Sequence, residues 1–163
     1  GDSHTQNFEI HEYFNNTNLK NRVIRSDRTD QLIDRVEAII ACHPKKMFIQ
    51  IGVNDLIQGG SVKTTAQNID RMISIIQVRS PNTEIYLEKV IPSGFKPGLF
   101  QKIIDLNEEI GTIGQDKSIA VIDVFTPLSG AACLSPKYDC GDGLHLNGAG
   151  YTTLANTLKE YIE

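Results

Sequence analysis

Four polar residues, widely separated in the chain, have side chains that could together carry out acyl transfer. Asp142 and His145 are three residues apart, so on one turn the carboxylate can hold one imidazole nitrogen and leave the other free as a base. Ser3 carries a hydroxyl, and a serine hydroxyl is a weak nucleophile until a base takes its proton. The amide of Asn54, in the loop after a predicted strand and Gly52, could bind a ligand.

Each of these residues also fits an ordinary structural role. Ser3 beside Asp2 could cap a helix, Asn54 could do so in the loop after Gly52, and an Asp-x-x-His pair is common in surface turns. Taken singly, each residue favours the structural role. Taken together, in this order and with these spacings, they favour a site.

The ordered set resembles the motifs of the SGNH hydrolases, also called GDSL-type esterases and lipases. Four blocks carry the resemblance across the whole chain: Gly1-Asp2-Ser3-His4-Thr5, residues 21–29 running into Leu32 and Arg35, Gly52-Val53-Asn54-Asp55, and residues 142–147 with Gly150 and Tyr151. Each block is short and weakly specific alone, whereas the four together in the family's order are specific.

The resemblance implies a role for each matching residue. Ser3 would be the nucleophile, His145 the general base and acid, and Asp142 its orienting partner. The oxyanion hole would comprise the backbone N–H groups of Ser3 and Ser26 and the side-chain amide of Asn54. The implied reaction is hydrolysis of a carboxylic ester through an acyl-serine intermediate, with a short acyl or O-acetyl group, on either a small molecule or a glycan. No metal or cofactor is implied.

Two features depart from the family's pattern. Val23 and Ser26 stand where the second block usually carries glycine. At position 26 a glycine would adopt positive φ without strain, whereas a serine would cost about 1–2 kcal/mol. Family members also place a central strand before the nucleophile, so we expect a strand upstream of Gly1.

Other functions compete with ester hydrolysis. The altered second block motivates a non-catalytic or degenerate binding protein of the same fold. A flavodoxin-like nucleotide or flavin binder would suit the strand and helix pattern, but the G-x-G-x-x-G and P-loop motifs are absent, as is the G-x-S-x-G of α/β-hydrolases. Cys140, Asp142 and His145 are too crowded, without a fourth ligand, to predict a zinc site.

A local excess of positive charge surrounds the second block. Residues 20–28 contain four cations and one acidic residue, so their net charge is 4 − 1 = +3. The segment is either a solvated basic loop paired with nearby acids or, through Arg25 or Arg28, a region that steers an anionic substrate toward Ser3.

The elements that must position these residues alternate along the chain. Apolar runs predict strands at residues 47–51, 84–91 and 118–124, and helical periodicity predicts helices around residues 32–40, 66–76, 103–113 and 151–162. This alternation predicts an α/β fold, a three-layer α/β/α sandwich with a mostly parallel, flavodoxin-like sheet. Residues 1–163 form one domain, and sites in such folds lie at the carboxyl ends of strands.

Composition bounds the remaining functions. The 163 residues carry a net charge of −4, which disfavours nucleic acid as a partner, and no apolar run is long enough to span a membrane. Cys133 and Cys140 could form one bridge or remain reduced. A periplasmic or secreted location is favoured over the cytoplasm, the oligomeric state is not predicted, and His4 and His11 are expected to be exposed.

Overall fold

Three parallel strands form the centre of the molecule. The computed structural model describes residues 1–162, in which β1 spans Lys46–Ile49, β2 spans Glu84–Glu88 and β3 spans Ala120–Ile122. The strands lie in the order β1-β2-β3, with Phe48 opposite Tyr86 and Leu87 opposite Val121. The α/β prediction is confirmed, and each strand falls within or next to the segment predicted for it.

Helices connect and cover the strands. The bounds are α1 Ser3–Gln6, α2 Ile10–Tyr13, α3 Thr29–Ile40, α4 Val53–Ile57, α5 Val62–Arg79, α6 Leu99–Lys117 and α7 Gly148–Ile162, with one turn of 3-10 helix at Thr126–Leu128. The four long helices were predicted from their apolar period. The short helices α1, α2 and α4 were not, because four or five residues are too few to display that period.

The sheet presents alternate residues to two apolar layers. Ile49 and Leu87 face a layer built with α3, α5 and α6. Phe48 and Tyr86 face the opposite layer, where their rings stack with centroids 4.8 Å apart and α7 packs. Helices therefore cover both faces of the sheet, as a three-layer sandwich requires.

All three strands are shorter than the apolar runs that predicted them, and specific contacts explain the end of β2 and the start of β3. Val90, predicted to lie in a strand, forms its backbone hydrogen bonds with the buried side-chain amide of Asn107, at 2.7 Å and 3.0 Å, instead of with a neighbouring strand. Ser118, predicted to start the third strand, adopts φ 54° as the C-cap of α6, so β3 begins at Ala120. Both differences arise from contacts that local sequence patterns do not show.

The strand expected upstream of Gly1 stays a prediction.

Between residues 1 and 162, no helix combines the length and apolar composition that a membrane span requires.

A buried carboxyl group lies at the carboxyl edge of the sheet. Glu88 ends β2 and is 6% exposed, and its Oε2 accepts from Gln50 Nε2 at 3.3 Å. Gln50 Oε1 has no hydrogen-bond partner among the described residues. Burial raises the pKa of Glu88 to about 7, so its ionisation near neutral pH places a poorly compensated charge inside the protein.

Glu88 makes the stability of the fold dependent on pH. Because its folded pKa of about 7 exceeds the unfolded value of 4.5, the folded state binds the extra proton and loses stability as pH rises through this range. The free energy of unfolding of Glu88→Gln, relative to that of the native chain, should rise by about 3 kcal/mol from pH 4 to pH 9. Urea unfolding at the two pH values measures this gain.

The exposed Glu109, on α6, provides the matched control. Glu109→Gln, measured in the same way, reports the effect of the same substitution at an exposed position of a helix. A Glu88→Gln gain that is also the same at pH 4 and pH 9 would contradict the buried, shifted carboxyl group.

Candidate active site

The candidate nucleophile lies at the beginning of the first helix. Asp2 is the N-cap of α1, and its Oδ1 accepts from the His4 N–H at 3.1 Å. Ser3 is therefore the first residue of the helix and is 6% exposed. The cap holds the backbone of this buried serine in place.

Ser3, His145 and Asp142 form a continuous line of hydrogen bonds. Ser3 Oγ lies 3.0 Å from His145 Nε2, and His145 Nδ1 lies 2.6 Å from Asp142 Oδ2. A carboxylate can only accept, so Nδ1 carries the hydrogen and Nε2 is the nitrogen that can accept from the serine hydroxyl. The side chain of His145 is 22% exposed, so a substrate can reach this end of the line.

Two carboxylates stabilise the turn that carries His145 by accepting hydrogen bonds from its backbone N–H groups. Asp142 Oδ1 accepts from the N–H groups of Leu144 at 2.9 Å and His145 at 2.8 Å, and Asp139 accepts from the N–H groups of residues 141–143. Burial tends to raise the pKa of Asp142, but the hydrogen bonds from His145 and Leu144 outweigh it and lower the pKa below its usual value. Asp142 therefore remains an anion over the whole working range of an imidazole base.

The second block is fixed by a buried ion pair. Asp27 is 3% exposed and pairs with Arg35 of α3, which also donates to the Arg22 carbonyl at 2.9 Å. Asn54 Nδ2 donates to the Asp27 carbonyl at 3.1 Å. One amide hydrogen of Asn54 is thus used to hold the loop, and the second is available to a ligand.

Asp55 supports the same loop from α4. Its carboxylate accepts from the Thr29 hydroxyl at 2.5 Å and from the Thr29 N–H at 3.1 Å, so it satisfies the beginning of α3. Burial raises the pKa of Asp55, and the hydrogen bonds from Thr29 counteract part of that effect. The hydrogen bonds of Asp55 therefore position the loop.

Ser26 adopts the conformation that its family position demands of a glycine. Its φ is 61°, in the left-handed region, and its side chain is exposed. Among residues 1–162, no group accepts a hydrogen bond from the N–H of Ser26 or of Ser3. Both N–H groups are therefore available to bind an anion.

The two arginines proposed to steer substrate differ in their surroundings. Arg28 donates to both carboxylate oxygens of Asp30, at 3.1 Å and 2.9 Å, and to Gln58 Oε1 at 2.9 Å. Arg25 is exposed and has no ion-pair partner among residues 1–162. The guanidinium of Arg28 is thus already engaged, whereas that of Arg25 is free to bind an external group.

The remaining candidate residues of the sequence are two histidines and three cysteines. The prediction that His4 is exposed is wrong, since it is 1% exposed, whereas His11 is exposed as expected. Cys42, Cys133 and Cys140 are free thiols. Asp139, Cys140 and Asp142 come close enough to bind a metal ion, but both carboxylates are already occupied by the hydrogen bonds of the turn.

The sequence pattern of the GDSL-like lipase/acylhydrolase family matches residues 1–153. The chain belongs to this family. The family resemblance predicted from the four motif blocks is therefore confirmed over residues 1–153.

Known relatives and solved structures are similar over most of their lengths. Platelet-activating factor acetylhydrolase IB subunit alpha2 of Rattus norvegicus is 27% identical to this chain, and the match covers 96% of this chain and 70% of the relative. The protein of the same name from Homo sapiens has the same identity and coverages. The crystal structure of a GDSL-like lipase from Bacteroides thetaiotaomicron superposes with a TM-score of 0.90 at 24% identity, covering 99% of this chain and 84% of the other. A member of the lipolytic G-D-S-L family from Veillonella parvula has a TM-score of 0.82 at 20% identity, with coverages of 98% and 93%. The fold of this chain is that of the GDSL-like hydrolases.

The left-handed backbone at Ser26 generates a stability prediction. Ser26→Gly should remove the strain of a side chain at positive φ and raise the free energy of unfolding by up to about 1 kcal/mol, while ester hydrolysis is retained. Chemical denaturation and initial rates on one ester measure the two effects. Proline cannot adopt φ 61°, so Ser26→Pro would break the loop instead of deleting a single donor.

Ser118, with φ 54° at the end of α6, is the matched control. Ser118→Gly should give a similar gain in stability and leave hydrolysis unchanged. A loss of stability in Ser26→Gly, with a gain in Ser118→Gly, would show that the Ser26 side chain makes a contact that outweighs its backbone strain.

Proposed function

We propose that this GDSL-like protein is a serine esterase that hydrolyses carboxylic esters through an acyl-serine intermediate. The observation that carries the proposal is the distance of 3.0 Å between Ser3 Oγ and His145 Nε2, with Asp142 on the other ring nitrogen. A hydroxyl, a base and a carboxylate in this order are the groups that nucleophilic acyl transfer requires. The free N–H groups of Ser3 and Ser26 and the free amide hydrogen of Asn54 could supply the second requirement, donors to an anion.

Catalysis begins with attack by Ser3. As Oγ bonds to the ester carbonyl carbon, its proton passes to His145 Nε2, and the imidazolium that forms is stabilised by the Asp142 carboxylate. Collapse of the tetrahedral intermediate breaks the bond to the alcohol, and His145 returns the proton to the departing oxygen. The acyl group remains on Ser3. A water molecule, activated by the same nitrogen, then releases the acid and restores the serine.

The oxyanion would be bound by three donors from three segments. The Ser3 N–H comes from α1, the Ser26 N–H from the second block, and the Asn54 amide from α4. Each donor of this kind contributes about 3–4 kcal/mol to the transition state. Asn54 already donates a hydrogen bond to the Asp27 carbonyl, so this contact fixes the second block relative to α4.

We propose a small acyl group, of which acetyl is the simplest. The relatives from Rattus norvegicus and Homo sapiens are named acetylhydrolases, and at 27% identity they support the same reaction class for this chain. Initial rates on p-nitrophenyl esters from acetyl to octanoyl test the acyl size. Rates that fall as the acyl chain lengthens support this part of the proposal, and rates that rise overturn it.

The nucleophile is tested by Ser3→Ala. Loss of a triad nucleophile lowers kcat by roughly 10⁶-fold, so release of p-nitrophenol from its acetate should fall to background. The substitution removes one oxygen from the first residue of α1, and an unchanged thermal transition would show that the fold survives. Ser129→Ala, in a loop after the 3-10 turn, is the matched control and should keep full activity.

Activity of Ser3→Ala within tenfold of the native chain would contradict the assignment. A folded native protein without any Ser3-dependent turnover on the ester series would favour the alternative, a non-catalytic binding protein of the same fold. Strain at Ser26 is the feature that motivates that alternative.

We further propose that Arg25 attracts anionic substrates. Its charge is unpaired among residues 1–162, whereas Arg28 is bound to Asp30. In Arg25→Ala, kcat/KM for an anionic ester should fall severalfold at low salt, and kcat/KM for a neutral ester should not change. Arg71→Ala, on the distant surface of α5, is the control. Equal responses of the two esters would contradict the role of Arg25.

A further inference from the structure

A second histidine lies directly behind the proposed triad. His4 follows Ser3 in α1 and is 1% exposed, and its ring centroid is 5.7 Å from that of His145. The Tyr151 hydroxyl donates to its backbone carbonyl at 3.0 Å. A histidine buried this completely must satisfy both ring nitrogens within the protein.

Both ring nitrogens of His4 face acceptors that have no hydrogen to donate. Nδ1 lies 3.2 Å from Asp2 Oδ1, and Nε2 lies 2.9 Å from the Leu144 carbonyl oxygen. A neutral imidazole has one N–H, so it would leave one of these contacts between two acceptors. An imidazolium, with two N–H groups, satisfies both.

The electrostatics of the pair agree with this geometry. Burial tends to lower the pKa of His4, but the hydrogen bond and charge of Asp2, with smaller contributions from the Leu144 carbonyl and Asp142, outweigh burial and raise the pKa. Burial tends to raise the pKa of Asp2, and His4 reverses that effect so that the pKa is lowered. The two residues form a buried ion pair next to the nucleophile.

The Leu144 carbonyl belongs to the turn that carries the base. Leu144 lies between Asp142 and His145, and its N–H already donates to Asp142. The hydrogen bond from His4 therefore ties the helix of the nucleophile to the turn of the base, across 140 residues of chain. Without it, the turn is held through its own carboxylates and through the Gly143 carbonyl, which accepts from Ser93 Oγ and the Gly94 N–H.

We infer that His4, as an imidazolium, is a positioning residue for the Ser3–His145 pair. Its Nε2–H sets the distance between nucleophile and base by holding the Leu144 carbonyl in place. This inference rests on the proposed esterase function. It goes beyond that function because His4 touches neither the substrate nor the reacting atoms.

Other titratable groups lie around the Asp2–His4 pair. Asp142 acts on His4 from the turn that carries the base, and Glu88 interacts with Asp2. Tyr151 of α7 donates to the His4 backbone carbonyl, and burial raises the pKa of Tyr151, so this phenol stays neutral.

Two isosteric amides separate the hydrogen bond from the charge. In His4→Gln, the side-chain N–H can reach the Leu144 carbonyl in place of Nε2, whereas in His4→Asn it can reach only Asp2 in place of Nδ1. We expect kcat to fall about 100-fold in His4→Asn, the cost of an ångström-scale displacement, and less than tenfold in His4→Gln. His11→Gln, on the exposed surface of α2, should have no effect.

Rescue by the longer amide is the result that a merely structural role would not give. Equal kcat in His4→Gln and His4→Asn would overturn the inference.

A measurement on the unsubstituted protein tests the protonation directly and does not depend on any variant folding. In ¹⁵N NMR spectra at pH 7, both ring nitrogens of His4 should carry hydrogen, and a His4 ring with one bare nitrogen overturns the inference even if the enzyme is active. If Ser3→Ala retains the full hydrolytic activity, the proposed function fails and the positioning role fails with it, whatever the state of His4.

Discussion

The distance between Ser3 Oγ and His145 Nε2 is the constraint on which the site depends. The hydrogen bond joins residues 142 positions apart, and neither of them lies on a strand of the sheet. A displacement of about 1 Å between nucleophile and base can cost two orders of magnitude in rate. The fold therefore has to fix two non-strand segments relative to each other, and short polar contacts do this where the sheet cannot.

Buried carboxylates provide most of these contacts. Asp2 pairs with His4 at the helix of the nucleophile, Asp27 pairs with Arg35 in the second block, and Asp55 accepts from Thr29 at the start of α3. A buried ion pair contributes little net stability, because desolvation offsets the attraction, but it defines one geometry. These residues accordingly act on the position of the site more than on the stability of the fold.

Glu88 shows what a carboxyl group costs without such a partner. It has the Gln50 amide as its side-chain partner, and its pKa rises to about 7. Asp2 lies in equally complete burial, yet the charge of His4 turns its pKa shift in the opposite direction. The contrast indicates that the Asp2–His4 pair is specifically stabilised as two ions.

Much of the fold and the composition of the site could be predicted from the sequence. Apolar runs and helical periods located the three strands and four long helices, and the spacing of Asp142 and His145 predicted their shared turn. The burial of His4 could not be predicted, because its partner Leu144 is 140 residues away and carries no polar side chain. The end of β2 depends on Asn107, and the start of β3 on the left-handed Ser118, and neither residue has a local pattern that signals this role.

Mapping a covalent adduct tests the central claim most directly. The protein is inactivated with diethyl p-nitrophenyl phosphate, which phosphorylates activated serines, and the modified peptide is identified by mass spectrometry. We expect one adduct per chain, on Ser3, formed in step with the loss of ester hydrolysis and absent when Asp142 is replaced by Asn at pH 7. Full inactivation with the adduct on another residue would contradict the assignment of Ser3 and His145 as nucleophile and base. Loss of activity while Ser3 remains unmodified would contradict it as well.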